Sequence, residues 1–196
     1  MTVAMTDDRV RCPWALSAQL NLDYHDTEWG RPVHGRDALF ERICLEAFQS
    51  GLSWLTILRK RPAFRAAFAG FDVETVARFG ESDEQRLLAD AGIVRNRAKV
   101  RAAVNNARAV LDLDTDLATL LWSFAPASHR RPGEPADVPA TTPESVAMAK
   151  ELRRRGFAFV GPTTAYALMQ ATGIVNDHLV DCWVDTGVAA SAGAGP

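Results

Sequence analysis

Long apolar runs are missing from this chain. No stretch approaches the roughly 18 to 20 consecutive apolar residues that crossing a bilayer requires. Met1 to Arg11 holds no continuous hydrophobic segment suited to a secretory signal, so a cytoplasmic location is expected. Cysteine is scarce: three residues in a reducing compartment do not suggest a disulfide framework and invite a search for metal ligands instead. Net positive charge is absent as well. Lys and Arg number 22 against 24 Asp and Glu, a formal charge of -2, which argues against a surface that attracts nucleic acid everywhere by counterion release. Sustained period-two alternation and internal repeats are also lacking, and the apolar residues recur at three- and four-residue intervals.

What remains is an ordinary globular composition, 196 residues with 47% hydrophobic and 23% charged, enough for one domain or two small lobes sharing a core. The fold class expected is all-α. From Asp37 to Gln49, Leu39, Phe40, Ile43, Cys44, Ala47 and Phe48 share one face, and Gly51 stops the helix. Ser53 caps a short helix through Lys60 that ends before Pro62; Asp72 caps another over Val73 to Phe79; Ser82 begins a third that stops near Gly92. A long amphipathic helix is expected from about Arg95 to Leu113, and another from Asp116 to Phe124. Ala125 to Thr141, with four prolines, reads as a loop. Thr142 and Pro143 start a helix that runs to Arg155 and is ended by Gly156; Pro162 opens the last, to about Ala171, with Gly173 behind it. Residues 1–10 and the Ala- and Gly-rich 186–196 are expected to be disordered, leaving 11–185 as the helical domain.

The cations are clustered although the net charge is not positive. Arg59-Lys60-Arg61, then Arg95, Arg97, Lys99 and Arg101, then Arg153-Arg154-Arg155 either line one polyanion-facing surface or are solvated helix ends.

Three features carry chemistry. Gly156-Phe157-Ala158-Phe159-Val160-Gly161-Pro162-Thr163-Thr164 joins two helices through a few residues, so they turn back on each other. The glycines permit left-handed backbone and close approach, Phe157, Phe159 or Val160 can anchor the hairpin, and N–H groups at the start of the second helix suit an anion such as phosphate. Gly-capped helical hairpins also occur in proteins that never touch DNA. Secondly, His178 and Cys182 are spaced i, i+4 and would share a face if helical, while Cys12 and His25, with twelve residues between them, lie at the other end. Two Cys with two His make a closed tetrahedral site; buried cysteines and hydrogen-bonded histidines are the other reading of the same spacing. Cys44 reads as core, and His34 and His129 as loop residues. Thirdly, Glu46 lies inside an apolar helix face, either functional or swung out to solvent or an arginine.

Three stretches together resemble the 3-methyladenine DNA glycosylase I family of bacterial alkylation repair. They are Arg11-Cys12-Pro13-Trp14 with Tyr24-His25-Asp26-Thr27-Glu28-Trp29-Gly30, Ile43-Cys44-Leu45-Glu46 through Gly51-Leu52-Ser53-Trp54, and Gly156 to Gly161 with Val175-Asn176-Asp177-His178. The resemblance covers about residues 11 to 183. It implies a helix-hairpin-helix glycosylase domain whose N- and C-terminal segments are joined by one structural Zn2+ on Cys12, His25, His178 and Cys182. Glu46 is implied to contact the methylated base, Trp54 and Tyr24 to stack on or border it, and Trp14 to help close the pocket. Two departures stand out: Asn21, a further base-pocket position, replaces a frequent tyrosine, and Pro162 removes one possible amide donor to phosphate.

The activity implied is hydrolysis of the N-glycosidic bond of 3-methyladenine in double-stranded alkylated DNA, leaving an abasic site without lyase chemistry, by a monomer. Gly156, Gly161 and Thr163 would hold the DNA, and Leu52, in the loop after the Glu46 helix, would wedge the vacated stack. Asp177 is expected to support His178 as a metal ligand. A non-catalytic helix-hairpin-helix DNA-binding protein is the alternative; a zinc hydrolase is disfavoured, since four protein ligands leave no open position.

Overall fold

The computed structural model describes residues 7–186. Among them there is no strand, and the all-α expectation holds. A 3-10 turn, Pro13–Ser17, leads into α1 (Gln19–Thr27); then come α2 (Arg36–Gln49), α3 (Trp54–Ala67), α4 (Val73–Ala77), α5 (Glu81–Ala89), α6 (Arg97–Leu111), α7 (Leu117–Trp122), α8 (Pro143–Arg154) and α9 (Pro162–Ala171). The turn and α1 were not foreseen as elements; their short polar run carries little apolar periodicity.

Local chemistry sets most helix starts. Asp72 Oδ1 accepts from Thr75 N at 2.8 Å, Asn96 Oδ1 from Lys99 N at 3.2 Å and Asp116 Oδ2 from Thr119 N at 3.0 Å. Thr142 and Ser145 exchange bonds at the head of α8. Each such cap removes an orphan N–H at roughly 1 kcal/mol.

Tertiary burial decides the rest. Helix α2 is buried along most of its length, with Leu39, Phe40, Leu45 and Phe48 each at 0% exposure and even Glu41 and Glu46 buried; it is the central rod, packed by α3, α6, α7 and α9. The expected stop before Pro62 does not occur: α3 runs through it to Ala67. An internal proline costs about 3 kcal/mol, but Ile57, Leu58 and Phe64, all buried on the two sides of it, contribute roughly 1.5–3 kcal/mol each. Burial wins, and the helix continues.

Helices α8 and α9 pack on each other across the short hairpin. Gly156 is left-handed at φ 88, as expected, whereas Gly161 is not, at φ -93. Phe159 takes the second positive φ instead, at 58, and stays 43% exposed, while Phe157 and Val160 are the anchors at 3% each.

Beyond α9 the chain is irregular, so His178 and Cys182 do not meet on a helix. A turn brings them together, closed by Cys182 N donating to Leu179 O at 2.8 Å. Of the ends expected to be disordered, 1–6 and 187–196 lie outside the described residues. Within the described residues, Trp183 N donates to Val10 O at 2.9 Å, and buried Thr186 accepts from Asn176 at 3.0 Å.

Candidate functional site

The 3-10 turn, α1, α2, α3 and α9 enclose a cavity of about 620 Å³. Its wall is aromatic. Tyr24 on α1 and Trp54 at the head of α3 lie with ring centroids 5.2 Å apart, and Trp14 stands 6.5 Å from Tyr24 and 5.1 Å from Trp29.

Glu46 enters this wall from α2. It is 6% exposed and lines the cavity, and no group among the described residues hydrogen-bonds its carboxyl. Desolvation pushes its pKa up to about 8, against the weaker opposing charge of Arg42. Arg42 is turned away to Glu28, which also takes Arg61 in a two-point pair at 2.7 Å. Burial, and then the charge of Glu46, hold the Tyr24 phenol well above its ordinary range. Tyr24 Oη, Trp54 Nε1 and Asn21 Oδ1 are buried without a partner. The structure thus brings Trp14, Asn21, Tyr24, Glu46 and Trp54, far apart in sequence, onto one cavity.

Asp177 corrects the reading made from sequence. It does not brace His178 but lines the same cavity. Its Oδ2 accepts from Tyr166 Oη at 2.6 Å and Gln170 Nε2 at 2.7 Å, and its Oδ1 pairs with His129 Nε2 at 2.9 Å. Burial alone would raise this carboxyl; the three partners outweigh it and hold it below its ordinary value. His129, set aside as a loop residue, was missed because nothing local links it to a carboxylate 48 positions on.

Cys12, His25, His178 and Cys182 converge as expected, all buried, with ligand atoms within 4.8 Å of one another. His178 Nδ1 lies 3.2 Å from His25 Nε2; Cys182 Sγ lies 3.4 Å from His25 Nε2 and 3.6 Å from His178 Nδ1, while Cys12 Sγ stands farther off, 4.0 Å from His178 Nδ1. Bonds of about 2.0–2.1 Å to nitrogen and 2.3 Å to sulfur give tetrahedral edges of about 3.3–3.8 Å; the three edges among His25, His178 and Cys182 come close to these, and the donor set fits one metal ion once Cys12 draws in. The outward ring nitrogens are fixed too: His25 Nδ1 by Asp26 at 2.8 Å and His178 Nε2 by Trp29 O at 3.1 Å. A Cβ on Gly30 would fall 3.0 Å from His178 Nε2, so only glycine fits there. Cys44 is a buried core residue and His34 stacks on Trp122, both outside the cluster.

Leu52 is 42% exposed in the loop between α2 and α3, and Thr163 is exposed in the first turn of α9. The hairpin is held from α6: Asn106, fully buried, accepts from Ala158 N at 2.7 Å and donates to Ala158 O at 3.1 Å, and Asn105 donates to Gly156 O at 2.6 Å. Most of the clustered cations are spoken for. Arg97 and Arg101 pair with Glu84, Arg154 and Arg155 with Glu151, and Lys60 donates to the carbonyls of Ala91 and Gly92.

The model of the family described as Methyladenine glycosylase matches residues 14–185. The chain is similar to DNA-3-methyladenine glycosylase 1 of Escherichia coli K12, 45% identical over 179 residues, 88% of this chain and 95% of that one. It is similar also to DNA-3-methyladenine glycosylase of Haemophilus influenzae, 43% identical over 178 residues, 88% and 96%. Among solved structures, a crystal structure of 3-methyladenine DNA glycosylase I superposes with a TM-score of 0.86 at 44% identity, covering 89% of this chain and 98% of that one. A variant of such an enzyme in complex with 3-methyladenine superposes with a TM-score of 0.83 at 33% identity, covering 88% and 95%.

Proposed function

This chain belongs to the methyladenine glycosylase family, and from that premise we propose that it selects 3-methyladenine by charge, on Glu46, inside an aromatic pocket. It is a base-excision repair glycosylase, and the reaction is hydrolysis of the N-glycosidic bond, releasing the free base and leaving an abasic site without strand cleavage. One observation carries the charge-selection reading: the Glu46 carboxyl lies buried among rings with no protein hydrogen-bond partner.

Methylation at N3 places a delocalised positive charge on adenine, so the base already leaves readily and recognition is the harder task. An unpaired carboxyl in a dry pocket is costly; a cationic base supplies both the missing charge and an N–H donor. The faces of Trp54 and Tyr24 add cation–π attraction of about 0.5–2 kcal/mol each, which neutral adenine does not gain fully. Trp14 borders the same cavity and helps to exclude water. As the bond breaks, positive charge moves onto the sugar; the Glu46 and Asp177 carboxyls give the cavity negative potential suited to it.

The nucleotide reaches the pocket by leaving the duplex, at lower cost for a damaged base that stacks and pairs poorly. Leu52, exposed in the loop between α2 and α3, fills the gap in this reading. The hairpin between α8 and α9 acts as a helix-hairpin-helix element: Gly156 and Gly161 let the backbone approach a phosphate, and Thr163 lies in the α9 first turn, where N–H groups and the helix dipole favour an anion. Pro162 contributes none. Binding through backbone amides accords with a net charge of -2.

Cys12, His25, His178 and Cys182 are the residues that hold the metal, and zinc is the ion this Cys2His2 set suits. Bound there, it supplies folding energy rather than chemistry, since all four positions are taken by protein. We read the active species as a cytoplasmic monomer on double-stranded DNA; no described helix is long and apolar enough to cross a membrane.

The deciding experiment is chromatography of bases liberated from methylated DNA, with Glu46→Gln as control. Release of 3-methyladenine by the wild-type protein and its near loss in the variant are expected. Unchanged single-turnover release by the variant would remove Glu46 from the site, and no release by either would leave only a DNA-binding module.

A further inference from the structure

Phe159 carries two costs that nothing inside the protein offsets. It stands in the hairpin between α8 and α9 with φ 58, a left-handed backbone that is unfavourable for any residue with a Cβ and most of all for a bulky one. Its ring also faces water: the residue is 43% exposed, it lies outside the apolar core, and no ring or cation among the described residues stacks on it. A glycine at this position would remove the strain and the exposed apolar surface together. The conformation is nevertheless imposed. Phe157 and Val160 on either side are buried, and Asn106 on α6 bonds both polar groups of Ala158, at 2.7 and 3.1 Å. Strain that the surroundings over-determine in this way marks segments that act, and the part of this segment left outside to act is the ring.

The placement of the hairpin says what covers that ring. Lys99 and Asn106 are spaced i, i+7 on α6, hence on one face of it, and both are buried. Lys99 donates to Phe48 O and Ser50 O, fixing the start of the loop that carries Leu52, and Asn106 fixes the hairpin. One face of a rigid helix thus sets two loops side by side, its two clamps about 10 Å apart along the axis, a span of about three steps of duplex DNA. Each loop presents one large apolar side chain to solvent, Leu52 at 42% and Phe159 at 43% exposure. The amides that follow Phe159 suit a phosphate, and the group next to a phosphate along a strand is a deoxyribose, whose carbon face is the apolar surface that a phenyl ring can cover. We propose that Phe159 is a DNA-contacting residue: its ring packs on a deoxyribose of the strand whose phosphate the hairpin holds, a second apolar contact beside Leu52. The contact is non-ionic and independent of base sequence.

This inference rests on the reading of the hairpin as a DNA-binding element, and the test separates the two. Affinity for undamaged duplex is measured across a range of salt for wild type, Phe159→Gly and Phe159→Asn, together with each protein's melting temperature. Asparagine tolerates the left-handed backbone, so that variant removes the ring without loosening the loop. Both variants are expected to melt at or above the wild-type temperature, since strain is released and no buried surface is lost. Both are expected to bind duplex roughly tenfold more weakly, the order that covering a phenyl ring supports, with an unaltered slope of log K against log salt, because no phosphate contact goes with the ring. Unchanged affinity in Phe159→Asn overturns the inference. So does a slope shallower by about 0.9 in both variants, or a melting temperature that drops along with affinity; the ring would then only hold the hairpin amides in place. Wild-type protein without measurable affinity for duplex would overturn the DNA-binding reading of the hairpin itself, and this inference with it.

Discussion

Glu46 is an acid whose folded-state pKa, about 8, lies above its ordinary 4.5. Two outcomes follow at this residue. Between those values the folded protein keeps a proton that the unfolded chain has lost. The stabilising contribution is thus complete below about pH 4.5 and is lost as pH rises through about 8. Denaturant midpoints measured across that window should decline with pH in the wild type, and this share of the decline should vanish in Glu46→Gln. The same proton has to leave when a cationic base pairs with the carboxyl. Calorimetry near pH 7 in buffers of different ionisation enthalpy should therefore register up to about one proton released per binding event, and none in the glutamine variant. In single-turnover excision that variant should be slower by roughly 100-fold or more, with DNA affinity changed less than about threefold.

At the scale of elements, α6 is the support for the DNA-facing loops. Asn106 grips both polar groups of Ala158, and Lys99 from the same helix donates to Phe48 O at 3.0 Å and Ser50 O at 2.5 Å, holding the end of α2 just before the loop that carries Leu52. Asn106→Ala leaves the partly buried N–H and carbonyl of Ala158 without their side-chain partner, a cost of about 1–3 kcal/mol in all. The expected result is a lower melting temperature and weaker binding to undamaged duplex, with binding of free 3-methyladenine retained, since Asn106 neither lines the cavity nor hydrogen-bonds a pocket residue. Equal losses in both binding assays would count against separate roles for hairpin and pocket.

Across the whole molecule, the Cys2His2 cluster joins a segment near residue 12 to one near residue 182, and it lies against the aromatic wall. Trp14 is 5.3 Å from the His25 ring. Chelation should therefore lower the melting temperature by roughly 10 °C or more and abolish activity only as the protein unfolds. Metal analysis of carefully purified protein should find about one zinc per chain; a stoichiometry near zero would defeat the zinc assignment.

Helix identities and most of the caps were legible in the sequence, because capping and apolar periodicity act over a few neighbouring residues; the grouping of ligand and pocket residues came from the resemblance to a known family, since spacing alone left it open. Ser53, Asp72 and Thr142 declare their helices within four positions. What sequence could not decide depends on segments meeting from far along the chain. Pro62 stays helical because residues on both sides of it are buried in the core. His178 and Cys182 converge through a turn rather than a helix, and Asp177 answers to His129, Tyr166 and Gln170 instead of the metal. Whether the Glu46 carboxyl faces a cavity or solvent is likewise settled only by packing. Desolvation and hydrogen-bond pairing are properties of surroundings in space, and the tertiary structure alone assembles those surroundings.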